Sequence, residues 1–184
     1  HYGSQMEEHK AVRTAAGMFD VSHMCVIQLQ GNQSQAFLKY LLANDIQKIK
    51  PGQAIYSCML SHIGGIIDDL IVYHTQDQYT LVVNAATASK DLAWIQEQAQ
   101  HFEVNIHQRA DLCILALQGP QAQTLALKHL SHLGEYPSTP FSCTKRQDIM
   151  IASTGYTGES GYEFILPKEV AIDTWQRLIK AKVT

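Results

Sequence analysis

Three apolar segments lie close together in the middle of the chain, at residues 54–60, 66–74 and 79–84. The first link carries Gly64-Gly65, and the second is Gln76-Asp77-Gln78. Strands joined by such short links pair as antiparallel hairpins, because a parallel pair needs a crossover of about a dozen residues or more. The middle of the chain is therefore predicted to form an antiparallel sheet.

The segments around these strands predict helices on one face of the sheet. Helical spacing of apolar residues predicts one helix after Asn32, a candidate N-cap, and another at 87–101 with Leu92, Ile95 and Ala99 directed inward. Further strands are predicted at 25–30, 103–108 and 112–118. The order of strand, helix, strands, helix and strands is typical of a split β-α-β, ferredoxin-like sandwich.

The two ends of the chain predict three more helices. One covers 5–16, one opens at Pro120, and the last begins near Pro167. The last helix is predicted to direct Ala171, Trp175, Leu178 and Ile179 inward. Two more strands, at 149–153 and 162–166, flank a glycine-rich loop. The predicted fold class is therefore α+β, with antiparallel sheets flanked by helices.

Composition limits the class of protein. The chain has 184 residues, of which 46% are apolar, enough for the core of one large domain or two small ones. Its formal net charge is −3, whereas a nucleic-acid binder would present a basic surface. No apolar run approaches the ~20 residues of a membrane span. We expect neither nucleic acid nor membrane as a partner.

Cysteine and histidine spacing indicates no metal site. The four cysteines lie in or beside apolar runs, and none forms a C-x-x-C motif. Buried free thiols in a reducing compartment are therefore favoured over disulfides. His129 and His132 are three residues apart on a predicted helix, but no third ligand is spaced to join them. We expect no bound metal.

Two adjacent aspartates interrupt an otherwise apolar predicted strand. Because side chains alternate across a strand, Asp68 shares a face with Ile66, and Asp69 shares the other face with Ile67 and Tyr73. A carboxylate among apolar neighbours is costly to bury without a partner, so such positions are often functional. The alternative is an edge strand that carries a protective charge. Spacing alone leaves both open.

The segment 154–163 holds three glycines in seven residues together with two tyrosines and two glutamates. Glycines let a backbone approach a ligand closely, and tyrosines offer flat aromatic surface. The alternative is an ordinary hairpin loop with turn glycines, which the spacing alone favours. The segment is neither a phosphate-binding loop nor a nucleophile elbow, because it lacks the residues that those motifs need.

Several segments together resemble the glycine cleavage system T protein, a family of aminomethyltransferases. They follow one another in the family's order along nearly the whole chain: 8–13, 17–24, 42–45, 56–57, 64–73, 82–85, 90–91, 118–120 and 154–163. A member of that family takes an aminomethyl group from the lipoyl arm of the H protein. It releases ammonia and forms methylenetetrahydrofolate from tetrahydrofolate.

The resemblance implies a folate site. The essential aspartate of the family matches Asp69, which makes Asp69 the expected catalytic residue. Further positions match folate contacts, so the expected folate-binding residues are Met24, Tyr56, Tyr73, Val82, Asn84, Tyr156 and Glu163. A carboxylate such as Glu163 suits the paired N–H donors of a pterin.

The resemblance also implies a domain arrangement and partners. Residues 28–121 are expected to form an inserted ferredoxin-like domain, and 1–27 with 122–184 an incomplete first folate-binding domain. The family continues with a Gly-Leu-Gly-Ala-Arg-Asp segment and a C-terminal barrel-like domain, both absent from this sequence. The expected acceptor is tetrahydrofolate, and the expected partner is the lipoylated H protein. We expect a bacterial cytoplasmic protein, with the mitochondrial matrix as the alternative.

Three other functions compete with the aminomethyltransferase. One is a folate-dependent enzyme that demethylates sarcosine or dimethylglycine. Another is a non-catalytic folate-binding protein of the iron–sulfur assembly type, whose relatives carry a Lys-Gly-Cys-Tyr motif that this sequence lacks. The third is a fragment with no activity.

Overall fold

The computed structural model describes residues 3–76 and 78–183. Asp77, which the sequence places in the second hairpin link, lies outside the described residues. The described helices are α1 (Gln5–Thr14), α2 (Ser34–Leu41), α3 (Ala88–Gln98), α4 (Ala122–His129) and α5 (Lys168–Lys180). The described strands are β1 (Gly17–Asp20), β2 (Cys25–Gln30), β3 (Gln53–Leu60), β4 (Ile66–His74), β5 (Tyr79–Val83), β6 (Asn105–Gln108), β7 (Leu112–Gln118), β8 (Cys143–Arg146), β9 (Ile149–Ala152) and β10 (Gly161–Pro167).

The chain divides into two compact units. The second unit is Met24–Ala110, and it interrupts the first unit, which combines residues 3–23 with residues 111–183. The insertion expected from the resemblance was 28–121. The structural unit begins earlier and ends before β7.

The second unit holds a sheet in the order β3-β4-β5-β2-β6. Every neighbouring pair is antiparallel, and the pairs β3-β4 and β4-β5 are the two hairpins that the short links predict. The order β6-β2-β5-β4 is that of a split β-α-β sandwich, and β3 adds one edge strand. Phe37 and Leu38 of α2 and Ile95 of α3 pack against Leu70 and Val72 of β4 in one apolar cluster. The helices therefore cover the face of the sheet that carries Leu70 and Val72.

The first unit holds a second antiparallel sheet, in the order β1-β7-β10-β9-β8. Its apolar core joins Leu115 and Leu117 of β7 and Phe164 of β10 to Ala126 of α4 and Leu178 of α5. With the sheet of the second unit, this arrangement confirms the α+β class.

Two details of the sequence prediction are wrong. The strand at 112–118 was placed with the middle sheet, but β7 lies between β1 and β10 in the other sheet. A strand that is apolar along its length carries no alternation to show which sheet it joins. In α5, Ile179 was predicted to be buried but is 53% exposed, and the wholly buried side chain on this helix is Thr174.

Candidate functional site

One face of the second unit's sheet carries several of the expected site residues. The register pairs Ile71 of β4 with Val82 of β5, which places Asp69, Tyr73 and Val82 on the face opposite the α2 and α3 helices. Tyr73 and Val82 are buried, and Asp69 is half-buried. The alternation argument placed Asp69 and Tyr73 on one face, and the structure shows that this face is the one away from the helices.

Asp69 is held by side chains from the two neighbouring strands. The Tyr56 hydroxyl, from β3, donates a hydrogen bond to Asp69 Oδ2. Asn84 Nδ2, directly after β5, lies 3.3 Å from Asp69 Oδ1 and 3.2 Å from the Asp69 carbonyl oxygen. Asp69 is therefore a carboxylate whose direction is fixed from both sides, as a group that must meet a ligand in one orientation would be.

Met24 lies at the same end of this sheet. It directly precedes β2, whose Cys25 pairs with Val83, so Met24 is level with Asn84. Met24 is half-buried.

The alternation fails at one position. Between Met59 and Leu60 the register with β4 shifts, so that Met59 pairs with Asp68 and Leu60 with Ile66. Ile67 is the extra residue of this bulge, and it packs against the helix-side cluster instead of sharing a face with Asp69. The strand β4 is also internal, with β3 and β5 beside it. The alternative of a charge that protects a sheet edge is therefore wrong.

Asp68 points to the helix side and belongs to a separate polar cluster. Its Oδ1 accepts a hydrogen bond from Asn84 Nδ2 at 3.0 Å, and its Oδ2 accepts one from the Thr87 hydroxyl. Burial works to raise the pKa of Asp68, but hydrogen bonds from Asp91, Thr87 and Asn84 outweigh burial and lower it to about 2. Asp68 is therefore an ionised acceptor, and the two amide protons of Asn84 link it to Asp69.

Asp91, on the first turn of α3, completes this cluster. Its side chain is 0% exposed. Burial, and then the hydrogen bond and charge of Asp68, raise the pKa of Asp91 to about 6. Two carboxyl groups that face each other in this way favour one proton between them.

The first unit carries the other expected site residues, around the loop between β9 and β10. Glu163 of β10 is only 5% exposed, and the Thr154 hydroxyl donates to its Oε2. Tyr156, on the loop, is 64% exposed. Since β9 and β10 pair antiparallel, the loop joins the two strands of a hairpin.

The buried side chain of Gln118 shapes this loop. Its Nε2 donates to the Thr154 carbonyl at 3.0 Å, and its Oε1 accepts from the Thr157 hydroxyl at 2.9 Å. A Cβ atom on Gly155 would lie 2.0 Å from Gln118 Oε1, and one on Gly161 would lie 2.7 Å from Gln118 Nε2. Gly155 is therefore required by the close approach of the loop to Gln118. Gly161 is required chiefly by the neighbouring strand backbone, because a Cβ atom there would lie 2.1 Å from the Leu117 carbonyl oxygen.

Comparison with known proteins identifies the family. Residues 2–183 match the model of the GCVT N-terminal domain. The chain belongs to this family. A solved structure of the glycine cleavage system aminomethyltransferase T from Bartonella henselae is 34% identical to this GCVT N-terminal domain, with a TM-score of 0.89. The match covers 97% of this chain and 49% of that one, so the chain spans about half the length of that relative.

A second solved structure shares the fold of this GCVT N-terminal domain. It is the heterotetrameric sarcosine oxidase from Corynebacterium sp. U-96 in complex with pyrrole 2-carboxylate. Its TM-score is 0.57 at 14% identity, and the match covers 96% of this chain and 89% of that one. At this identity the likeness supports the fold alone.

Within residues 3–76 and 78–183, no helix is long and apolar enough to cross a membrane. Within the same ranges, no group of three or more metal-ligating side chains could hold an ion.

Sequence reasoning gave no role to Thr87, Asp91 or Gln118. A signal for Asp91 was present, because Asp91 and Ile95 are one helical turn apart and so share the buried face of α3. Gln118 carried no such signal. Its importance comes from contacts with Thr154, Gly155 and Thr157, which are distant in sequence.

Proposed function

We propose that the protein containing this GCVT N-terminal domain is the tetrahydrofolate-dependent aminomethyltransferase of the glycine cleavage system. It transfers the methylene of the aminomethyl-lipoyl H protein to tetrahydrofolate and releases ammonia. The proposal rests above all on Asp69, a carboxylate fixed by Tyr56 and Asn84 in a chain that is 34% identical to a solved aminomethyltransferase T.

The residues present fit a folate. A pterin offers paired N–H donors, and a carboxylate accepts such a pair well. Glu163 is a buried carboxylate beside a loop that carries the exposed ring of Tyr156. Met24, Tyr73 and Val82 supply apolar and aromatic surface. We assign these residues, together with Tyr56 and Asn84, to folate binding.

Asp69 is the proposed catalytic residue. The folate supplies the nitrogen that accepts the one-carbon group. Asp69 orients this nitrogen and stabilises the positive charge that develops there during the transfer. Its fixed direction serves this role, because a preorganised carboxylate needs no reorganisation at the moment of reaction. Proton removal by Asp69 is a second, weaker role.

The proposal extends to the arrangement of the whole protein. We propose that the Met24–Ala110 unit is an insertion into a folate-binding domain that the rest of this chain forms in part. The partner is the lipoylated H protein, and the compartment is the bacterial cytoplasm or the mitochondrial matrix.

Two measurements test the function. Isothermal titration with tetrahydrofolate shows whether the chain binds folate. Turnover of the complete protein with aminomethyl-lipoyl H protein is followed by ammonia release and by formation of methylenetetrahydrofolate. We expect both products in equal amounts. Folate binding without turnover would instead indicate a non-catalytic folate-binding protein, and turnover of sarcosine or dimethylglycine a demethylating enzyme.

A further inference from the structure

Asp91 is a wholly buried acid to which no described residue donates a hydrogen bond. Its side chain is 0% exposed, and no N–H or O–H group of the described residues donates a hydrogen bond to either of its carboxylate oxygens. An ionised carboxylate in this position lacks both water and hydrogen bonds, which is strongly unfavourable. A proton on Asp91 removes that cost, provided that an acceptor lies within reach.

Two neighbours on the helix side do not satisfy Asp91. The Thr87 hydroxyl lies near both carboxyl groups, but a hydroxyl has one proton, and it is directed at Asp68 Oδ2. Lys90 Nζ is 3.9 Å from Asp91 Oδ1, beyond hydrogen-bond distance, and donates to the Ile67 carbonyl at 2.7 Å. Neither group removes the need for a proton.

The strands beneath α3 present two more groups to Asp91. On β2, burial raises the pKa of the Cys25 thiol. A hydrogen bond from Gln108 lowers this pKa in part, and the charge of Asp91 raises it further. Cys25 is therefore a neutral thiol. On β4, the ionised Asp68 is the one strong acceptor among the described groups that face Asp91.

We propose that Asp91 is a positioning residue: it carries a proton, donates that proton in a hydrogen bond to Asp68, and so fixes the Asn84 amide against Asp69. Asn84 Nδ2 lies 3.0 Å from Asp68 Oδ1 and donates one amide proton to it. The other amide proton of Asn84 is left for Asp69. Hydrogen bonds through the side chains of Asp68 and Asn84 thus connect Asp91 to Asp69. The predicted effect on folate binding rests on the function proposed above. The proton between Asp91 and Asp68 does not depend on that function.

Ionisation of Asp91 breaks this series of hydrogen bonds. Two facing carboxylates repel each other, and the movement of Asp68 away from α3 releases Asn84. The position of Asp69 then depends on Tyr56 alone. Folate affinity and turnover should therefore fall as pH rises through the ionisation of Asp91, although Asp91 touches neither the ligand site nor Asp69.

A titration without folate tests the shared proton. The ¹³C signals of the side-chain carboxyls and the side-chain amide signals of Asn84 are followed in this chain from pH 4 to pH 9. We expect Asp91 to titrate above the ordinary aspartate value of about 3.9, and the Asn84 signals to move with the same midpoint. An ordinary midpoint for Asp91, or Asn84 signals that ignore its titration, would overturn the proposal.

Two substitutions test the consequence. Asp91→Asn keeps an N–H donor and the shape but carries no charge, and Asp91→Leu keeps the approximate size and loses the donor. Tetrahydrofolate titrations at pH 5.5 and pH 8 should show wild-type affinity falling at the higher pH. The Asn variant should be as tight as wild type at pH 5.5 and unchanged at pH 8, and the Leu variant about tenfold weaker at both.

The control and the outcomes separate this proposal from the function. Asp173→Asn, at an exposed aspartate of α5, should keep the wild-type pH profile. An Asp91→Asn variant that also keeps that profile would overturn the positioning role. If the wild-type chain binds no folate, the proposed function is in error, and the carboxyl titration still decides whether Asp91 and Asp68 share a proton. If the Leu variant does not fold, the Asn variant and the titration decide alone.

Discussion

The Tyr56 hydroxyl donates to Asp69 across two neighbouring strands whose register does not place the two residues opposite each other. Tyr56 pairs with Ile71, and Cys58 pairs with Asp69. The contact is therefore diagonal, within the reach that a long aromatic side chain has on one face of a sheet. It keeps the carboxylate directed along the sheet face toward the side chain of Tyr56.

Asp69→Asn in the complete protein should lower turnover at least ~100-fold, the lower range for the loss of one preorganised catalytic group. The amide keeps the shape but loses the charge that stabilises the reacting nitrogen. Rates of ammonia release at saturating folate measure the effect. Asp68→Asn is the matched control and should do much less, because an amide there still accepts from Asn84 and donates to Asp91. Equal losses from the two variants would contradict the assignment of faces.

Glu163→Gln should weaken folate binding more than it lowers the rate at saturating folate. The change places an N–H donor against a ligand donor, and an unpaired buried donor costs about 1–3 kcal/mol. Isothermal titration and a full rate-against-folate curve separate the two effects. Glu169→Gln, at an exposed position on α5, is the control and should bind like wild type. A Glu163→Gln variant with unchanged affinity would remove Glu163 from the site.

Bound folate should slow the alkylation of Cys58. This half-buried thiol lies directly opposite Asp69 in the register, on the face where we place the ligand. Burial raises the pKa of Cys143 to about 11, so that thiol should stay unmodified at pH 8 with or without folate. Iodoacetamide labelling followed by peptide mass spectrometry gives both rates. Identical labelling of Cys58 in both states would argue against a ligand on this face.

The hairpins and the face of Asp69 could be predicted because they follow from short-range rules. Links of a few residues permit only one kind of pairing, and strict alternation assigns a face to each side chain. The bulge at Ile67 escaped prediction because one extra residue leaves no mark in an apolar run. Strand β1 escaped because its four residues show no alternation, and its pairing with β7 joins segments about a hundred positions apart.

The polar partners in the site were harder to predict than the acid itself. Tyr56 and Asn84 were expected only through the resemblance, since nothing in their local sequence indicates a carboxylate partner. Asp91 was overlooked because apolar spacing favoured Leu92 as the inward residue of α3, whereas Leu92 is half-buried and Asp91 is fully buried. Helical periodicity locates a face to within about one residue, which is too coarse to tell these two apart.

The pH dependence of stability should differ between wild type and Asp91→Asn. The fold raises the pKa of Asp91 to about 6, whereas the pKa of an aspartate in the unfolded chain is about 3.9. The contribution of protonated Asp91 to the free energy of unfolding is therefore fully present below a pH of about 3.9 and is lost as pH rises through about 6. Wild type should therefore lose stability relative to the variant between pH 4 and pH 6, and the difference should stay constant above pH 7. Urea unfolding of both proteins at several pH values measures this. A difference that does not vary with pH would show that Asp91 is not protonated in the fold.

Gly155→Ala should destabilise the first unit and weaken folate binding together. The new Cβ atom would lie 2.0 Å from Gln118 Oε1, so either the loop moves or Gln118 turns away and loses its bonds to Thr154 and Thr157. Overpacking of this kind costs about 1–3 kcal/mol. The effect should reach the ligand because the Thr154 hydroxyl holds Glu163.

A double-mutant cycle decides whether Gln118 is the cause of that loss. In a Gln118→Ala background the clash is gone, so adding Gly155→Ala should cost clearly less than it does in wild type. Gly65→Ala is a suitable control, because a Cβ atom there meets only Ser61 Oγ, at 3.3 Å. Urea unfolding gives the free energies, and folate titration gives the effect on the ligand. If Gly155→Ala costs the same in both backgrounds, the glycine is required by the loop backbone itself and not by its approach to Gln118.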